Sequence, residues 1–259
     1  MPFSIEKWYL DTFMADGSLL ILSLGEVRLL GVPVGRLSVE WHAPDGSVRR
    51  GSASLGRLVP GAHGFTFRGG VLEANRVRWH TGPLAGELCF QPRYPPMSLR
   101  EPLLRIGSRQ LSWAMDIPDA IVEGELHLHD RVVAVRGRGY RDHVTADILP
   151  TEMRGWELRW GRAVSESHAT AWLNLRTPHG TVEGTWHDGS TGLRCVPPPL
   201  RDERVIADAL LEDLPVMRIG PVRRLLSSLA GHPLQRRFIA AATLDGEPAR
   251  AVHEIVQWG

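Results

Sequence analysis

The chain contains little cysteine and almost no lysine. Of its 259 residues two are cysteines, Cys89 and Cys195, which lie far apart and in no spacing typical of a metal site. Unpaired thiols are normal in a reducing compartment, so the sequence predicts a cytoplasmic protein. Lys7 is the only lysine beside many arginines, a bias that by itself indicates no function.

Long apolar runs and blocks of like charge are also absent. Because no stretch of about 18 apolar residues occurs, no transmembrane helix and no stable membrane insertion are expected. The first residues, MPFSIEKWYLDTF, include acidic and polar side chains and no apolar segment of the secretory type. The formal net charge is +1, with acids mixed among the arginines, so nothing in the sequence favours nucleic-acid binding.

Turn signals at short intervals predict a mainly β protein. Aspartate-glycine or similar signals recur at residues 15–17, 44–46, 81–83, 128–130, 178–180, 187–189 and 244–246. Between them run alternating segments such as Leu37–His42, where Leu37, Val39 and Trp41 share one face. This arrangement is typical of antiparallel sandwiches and barrels.

The last quarter of the chain has two helical patterns. Val205–Asp213 is short and helix-like. Val222–Leu229 has apolar residues at helical spacing after Pro221 and precedes a strong stop at Gly231, which predicts a helix at about 221–230.

A boundary near Pro118 divides the chain into two predicted β-barrel domains. The segment before it reads as a strand end, and a fresh series of strands follows. The two domains would comprise residues 1–118 and 119–259, and both are of ordinary domain size.

The segment Gly137–Arg162 concentrates polar and aromatic side chains that can bind or react with a ligand. Its sequence is GRGYRDHVTADILPTEMRGWELRWGR. A glycine weakens a strand unless backbone or ligand must approach closely. Alternation places Arg138, Tyr140 and Asp142 on one strand face and His143 on the other. Burial beside aromatic rings would favour the uncharged carboxyl of Asp142, which can then donate a proton.

Structural roles explain the same residues. Asp142 could pair with Arg138 or with Arg162 and stabilise the barrel. A histidine at a strand end, such as His143, is at least as often a hydrogen-bonding group to a backbone carbonyl as a catalytic one.

Two further strands supply aromatic and polar side chains. Trp156 and Trp160 share a face of one strand, and His168, Trp172 and Asn174 share a face of the next. If these strands neighbour the strand of Asp142, one surface combines large aromatics with a few polar groups, as small-molecule sites do. Tryptophans on strands are equally typical of an ordinary core.

No metal or cofactor site is predicted. His127 and His129 are spaced i, i+2, and His168 and His187 follow later, but a third ligand at a recognisable spacing is missing. The sequence has neither a phosphate-binding glycine loop with its lysine nor a GxSxG nucleophile motif.

The motif GRGYRDH followed by GWELRWGR resembles that of the AttH-like and hydroxyneurosporene-synthase-like proteins. The resemblance covers roughly residues 110–259 and includes DIPDAIVEGEL and the proline-led segment with GHPLQRRF near the C-terminus. It implies two lipocalin-like antiparallel β-barrel domains with a short C-terminal helix. The chain departs from the pattern after the DH pair, where it continues as Val144-Thr145-Ala146-Asp147, which weakens the case for a shared acid mechanism.

The resemblance also implies an enzyme without a redox cofactor. Members of this family hydrate isoprenoid double bonds or promote Diels–Alder cyclisation in an apolar cavity between the barrels. By this resemblance Asp142, Tyr140 and His143 would line the cavity, and Trp156 and Trp160 would form its wall.

Three functions therefore remain open. The first is a cyclase acting on a hydrophobic polyene or polyketide-like intermediate, by pericyclic or acid-promoted chemistry. In this hypothesis Asp142, Tyr140 and His143 are catalytic. The substrate-binding residues would be Arg138, Trp156, Trp160, His168, Trp172 and Asn174. The second is a hydratase with Asp142 as proton donor, and the third is a non-catalytic carrier of a lipophilic molecule.

Overall fold

The computed structural model describes residues 3–192, 197–210, 213 and 227–259. Throughout this part of the chain, antiparallel β-strands form a 13-stranded sheet, here sheet A, and a 7-stranded sheet, here sheet B. The predicted mainly β, two-domain lipocalin-like fold class is confirmed. Among the described residues, no helix is long and apolar enough to cross a membrane.

Sheet A takes its strands from the first 146 residues. They are β1 (Phe3–Met14), β2 (Leu19–Leu29), β3 (Val32–His42), β4 (Val48–Ser54), β5 (Val59–Gly61), β6 (Gly64–Phe67), β7 (Gly70–Glu73), β8 (Arg76–His80), β9 (Leu84–Pro92), β10 (Met97–Ser98), β11 (Leu104–Ile106), β12 (Arg109–Leu128) and β13 (Val132–Ala146). The main strand order is β4-β3-β2-β1-β13-β12-β9-β8-β7-β6-β5. Strands β1 to β4 thus form one meander and β5 to β9 another. Strand β12 pairs with β9, and β13 lies between β12 and β1.

Sheet B follows a 3₁₀ helix at Pro150–Met153. Its strands are β14 (Glu157–Val164), β15 (Ala169–Thr177), β16 (Gly180–His187), β17 (Ser190–Gly192), β18 (Leu200–Leu210), β19 (Leu234–Leu244) and β20 (Glu247–Gln257). Their order is β17-β16-β15-β14-β20-β19-β18. Most are joined by tight hairpins, as the regular turn signals of the sequence predict.

Contacts group the chain into two compact units. Unit 1 comprises Met1–Met97 and Ala114–Asp147, and unit 2 comprises Ser98–Trp113 and Ile148–Gly259. The grouping assigns β13 to unit 1, together with the strand β1 that it pairs with. The division into folding domains at residue 118 stays a prediction.

The core of unit 1 occupies one face of sheet A. Leu20, Leu22 and Leu24 alternate along β2 and are completely buried. They pack in one cluster with residues of β3 such as Val39 and Trp41. Strand residues two apart point to the same side, so the apolar alternation along each strand determines which face of sheet A forms the core.

One of the helical predictions is wrong. Val205–Asp213 was expected to be a helix, but Leu200–Leu210 forms β18 and pairs with β19. Register shifts interrupt this pairing between Arg201 and Arg204 and again between Val205 and Ala207. Such bulges break the two-residue period, which is why the apolar spacing resembled that of a helix.

The second predicted helix, at about 221–230, falls largely on residues 221–226, outside the described part of the chain. Residues 227–229 are described and are helical.

Candidate functional site

The antiparallel pairing of β1 with β13 places residues of the GRGYRDH motif opposite residues of β1. Tyr9 lies opposite Asp142, and Asp11 lies opposite Tyr140. Directly paired residues of antiparallel strands point to the same face. The face predicted from the sequence to carry Tyr140 and Asp142 therefore continues onto β1.

The same face extends over β2 and β3. Ser23 pairs with Tyr9 and with Ser38, while Ile21 pairs with Asp11 and with Glu40. We call this surface the polar face of sheet A. Its polar residues are Tyr9, Asp11, Ser23, Ser38, Glu40, His42, Asp119, Arg138, Tyr140 and Asp142.

The polar face is buried, which is unusual for such a composition. Asp11 is 1%, Asp119 0% and Asp142 4% exposed, and Glu40 is 7% exposed. Taking a carboxylate out of water is costly unless it is paired or hydrogen-bonded. The buried face of a sheet is usually lined by apolar side chains, as the opposite face of sheet A is.

A phenol and a carboxyl group contact each other at the centre of this face. The Tyr140 hydroxyl donates a hydrogen bond of 3.1 Å to Asp142 Oδ2. The edge of the Tyr9 ring packs against Tyr140, with ring centroids 6.4 Å apart. Tyr140 is fully buried, and this carboxyl group supplies a hydrogen-bond acceptor for its hydroxyl.

Arg138 has a structural partner on the same face. Its Nε lies 3.0 Å from Asp119 Oδ1 and its Nη2 lies 2.6 Å from Asp119 Oδ2. Arg93 adds a third bond of 3.2 Å to Asp119 Oδ2. This two-pronged geometry is the strong form of an arginine–carboxylate pair, so the guanidinium of Arg138 neutralises a buried acid.

Glu40 and His42 extend the polar face on β3. Glu40 Oε2 lies 3.3 Å from His42 Nε2 and 3.3 Å from Arg50 Nε. His42 is 2% exposed.

Sequence reasoning missed Tyr9, Asp11, Glu40, His42 and Asp119. A signal existed in β3, because the alternation that put Leu37, Val39 and Trp41 on one face also puts Ser38, Glu40 and His42 on the other. For Asp11 and Asp119 the missing information was the long-range pairing of β1 with β13 and of β13 with β12.

His143 points away from the polar face. Its ring stacks on Trp8 with centroids 4.7 Å apart, and its Nε2 lies 3.0 Å from Glu6 Oε1. Arg141 shares that side, and burial lowers the pKa of its guanidinium against the opposing effect of Asp116. The structure therefore brings together two of the three predicted catalytic residues, Tyr140 and Asp142, and separates His143 from them by the thickness of the sheet.

The remaining predicted residues lie in or next to sheet B, and their strands do not neighbour β13. Trp160 pairs with Leu173, which places Trp172 on the opposite face of sheet B. Trp160 Nε1 donates to Glu254 Oε2 at 3.1 Å. Trp172 covers Gly161, where a side chain would collide with its ring. Both tryptophans are thus core residues of unit 2.

Three other residues of the predicted surface also have local partners in unit 2. Trp156 packs edge-on against Trp258, with centroids 6.2 Å apart. Asn174 Nδ2 donates to Glu183 Oε2 at 2.9 Å. His168 Nδ1 contacts Asp188 Oδ2 at 2.5 Å.

Gly139 of the motif allows core side chains of unit 1 to pack closely against β13. A side chain at Gly139 would collide with Val122 and press on Phe90, both of which are core residues of unit 1. The close approach at Gly139 is therefore that of core side chains, whereas at Gly137 it is that of the β1 backbone at Phe13.

A separate depression of about 370 Å³ opens on unit 1. Trp41, Val133 and Arg131 line it, and the Arg131 guanidinium lies 5.6 Å from the centroid of the Trp41 ring. Its volume is within the range of small-molecule sites, but none of the predicted site residues lines it.

In sequence, no family model and no curated protein matches the chain. In structure, it is similar to a protein from Nitrosomonas europaea assigned as AttH, with 14% identity and a TM-score of 0.66, covering 98% of this chain and 92% of that one.

Two further solved structures share the architecture. CghA, solved also in complex with Sch210972, has 14% identity and a TM-score of 0.63 over 99% of this chain and 88% of its own. Kievitone hydratase from Nectria haematococca has 8% identity and a TM-score of 0.55 over 98% of this chain and 89% of its own. The chain therefore has the same two-domain lipocalin-like fold as these three proteins, which is the fold that its sequence motif implies.

Proposed function

We propose that the chain is an enzyme that cyclises an apolar polyene or polyketide-like intermediate without a redox cofactor. The observation that carries this proposal is the buried hydrogen bond between Tyr140 and Asp142. A fixed phenol on a buried face is a suitable donor for a substrate carbonyl, because its hydroxyl hydrogen can rotate from Asp142 to the ligand.

The chemistry requires little of the protein beyond shape and one hydrogen bond. A hydrogen bond from Tyr140 to a carbonyl withdraws electron density from the attached alkene and stabilises charge that develops in the transition state. Holding the two reacting ends in contact removes the entropic cost of finding that conformation. Asp142 orients the phenol before the substrate binds.

A hydratase is the second candidate. The supporting observation is that Asp11 is paired with Tyr140 across the strands while Asp142 contacts the Tyr140 hydroxyl, so two carboxylic acids lie on the same sheet face as this phenol. Such a pair can divide the roles of proton donor and base in adding water. Kievitone hydratase, which has a similar fold, is a hydratase by its name, and this supports the second candidate.

The test uses a panel of linear polyenes that carry a conjugated carbonyl, incubated with the protein in ¹⁸O-labelled water. A cyclase yields an isomer of unchanged mass, and a hydratase yields a product heavier by one labelled water. Recovery of every substrate intact, together with tight binding, would show a carrier and overturn both enzymatic functions.

The Tyr140→Phe variant tests the site. We expect turnover to fall by about 100-fold with KM nearly unchanged, since the hydrogen bond strengthens in the transition state. Asp142→Asn should also lower turnover. The matched control is Tyr94→Phe, which removes a hydroxyl elsewhere in unit 1 and should leave turnover unaltered. Wild-type turnover in both site variants would remove Tyr140 and Asp142 from the mechanism.

A further inference from the structure

Three hairpin turns meet at one end of sheet B. Residues 165–168 join β14 to β15, Asp188 and Gly189 join β16 to β17, and Asp245 and Gly246 join β19 to β20. The strand order β16-β15-β14-β20-β19 places the first turn between the other two.

Both aspartate-glycine turns have left-handed backbone at their two central residues. The φ angles are 41° at Asp188, 87° at Gly189, 47° at Asp245 and 87° at Gly246. This is the hairpin turn that aspartate followed by glycine favours. The turn chemistry thus fixes one aspartate in each of the two turns that flank residues 165–168.

Two histidines complete a compact group with these aspartates. His168 Nδ1 lies 2.5 Å from Asp188 Oδ2 and 3.7 Å from Asp245 Oδ2. His187 Nε2 lies 3.0 Å from Asp245 Oδ2 and 3.6 Å from Asp188 Oδ2. One nitrogen or oxygen from each of the four residues lies within 4.8 Å of the other three.

These spacings fit a tetrahedral ion. Bonds of about 2.0–2.2 Å from zinc to imidazole nitrogen or carboxylate oxygen place neighbouring ligand atoms roughly 3.4 Å apart. The four observed nitrogen–oxygen distances lie on both sides of that value. Shifts of less than about 1 Å at exposed turns would equalise them.

Neighbouring groups hold the ligands in orientation. Asp188 Oδ1 accepts a hydrogen bond of 2.8 Å from the Ala169 amide, which directs Oδ2 towards the histidines. The His168 amide donates to Ser165 Oγ at 2.9 Å, and Ser165 donates to Glu247 Oε2 at 2.6 Å. The Asp188 contact is of the kind that orients carboxylate ligands in metal sites, and the Ser165 contacts hold the turn that carries His168.

We propose that His168, His187, Asp188 and Asp245 bind a divalent transition-metal ion of the zinc type. Imidazole nitrogens exclude a calcium-type site, which needs oxygens throughout, and suit zinc or cobalt. Two carboxylates with two neutral imidazoles balance the charge of the ion. The ion ties three hairpins together and stabilises unit 2.

The test is titration of the chelator-treated full chain with Zn²⁺ against a chromophoric competitor. We expect one ion per chain, a rise in Tm, and at least a tenfold loss of affinity in His187→Ala and in Asp245→Asn. Asp245 is 58% exposed at a turn, so its variant should fold even if the histidine variant does not. The control His127→Ala changes a histidine in unit 1 and should keep wild-type affinity.

Cobalt gives an independent readout. Co²⁺ in a tetrahedral nitrogen and oxygen site absorbs visible light strongly, so the wild type should show this band and Asp245→Asn should lose it. If zinc affinity is the same in wild type and both variants, or if several weak ions bind, the four residues form only an ion-pair cluster and the proposal is overturned.

Discussion

Two buried carboxylates, Glu254 of sheet B and Asp142 of sheet A, accept hydrogen bonds from different kinds of donor. In sheet B, Glu254 accepts a bond of 2.5 Å from Arg237 Nε and one of 3.1 Å from Trp160 Nε1. In sheet A, Asp142 accepts a bond from the neutral phenol of Tyr140. The first donor is a charged guanidinium that balances the carboxylate. The second is a neutral hydroxyl which, in the proposed function, would turn from Asp142 to the substrate.

The two arrangements differ in what the loss of a partner does. Removing one member of a buried ion pair leaves an uncompensated charge and costs about 3–5 kcal/mol. Removing a neutral donor from a buried acceptor costs about 1–3 kcal/mol. Stability and activity should therefore respond to different substitutions.

The largest loss of stability is expected for Arg237→Leu. Arg237 is 5% and Glu254 2% exposed, so the free energy of unfolding should fall by about 3–5 kcal/mol. Urea denaturation measures the change. The double variant Arg237→Leu/Glu254→Leu should recover most of the loss, because it removes both charges. A single variant as stable as the wild type would show that the pair is not a structural element.

A smaller change is expected for Tyr140→Phe on the polar face. The free energy of unfolding should fall by about 1–2 kcal/mol, since one hydrogen bond to a buried acceptor is lost. Urea denaturation, with Tyr94→Phe as control, checks this value. A loss as large as that of Arg237→Leu would mean that the polar face, too, serves mainly to hold the fold.

The smallest effect concerns the pH dependence of stability in sheet B. The His253 ring stacks on Phe238 with centroids 4.6 Å apart, and Nε2 lies 2.9 Å from Glu203 Oε1. Burial lowers the pKa of His253, and the carboxylates of Glu203 and Glu254 oppose this effect in part.

The direction in which stability changes with pH follows from the lowered pKa of His253. Below about pH 6.5 the unfolded chain takes up the proton at His253 before the folded protein does. The contribution of His253 to the free energy of unfolding is thus present in full above that pH and is lost as the pH falls. Unfolding at pH 8 and pH 5 measures it, and His253→Gln should flatten the slope. An equal slope in variant and wild type would contradict this role.

Much of the fold follows from local patterns. Aspartate-glycine turns and two-residue alternation predicted antiparallel strands, and they also predicted that Tyr140 and Asp142 share a face. The helix predicted at Val205–Asp213 was wrong because bulges in an edge strand imitate helical spacing. The single surface of aromatic and polar residues did not form for another reason. The neighbours of a strand are decided by pairing between distant parts of the chain, and β14 and β15 do not neighbour β13. Trp160 and Trp172 also face opposite sides of sheet B.

The sequence by itself determined the β class, the turns and the faces of individual strands, since side-chain alternation and turn preference act over a few residues. Only the tertiary structure decided which strands meet. It placed Asp11 beside Tyr140, bound Arg138 to Asp119, and gathered His168, His187, Asp188 and Asp245 from three turns. Contacts between residues far apart in the chain depend on the packing of whole sheets, which no short pattern encodes.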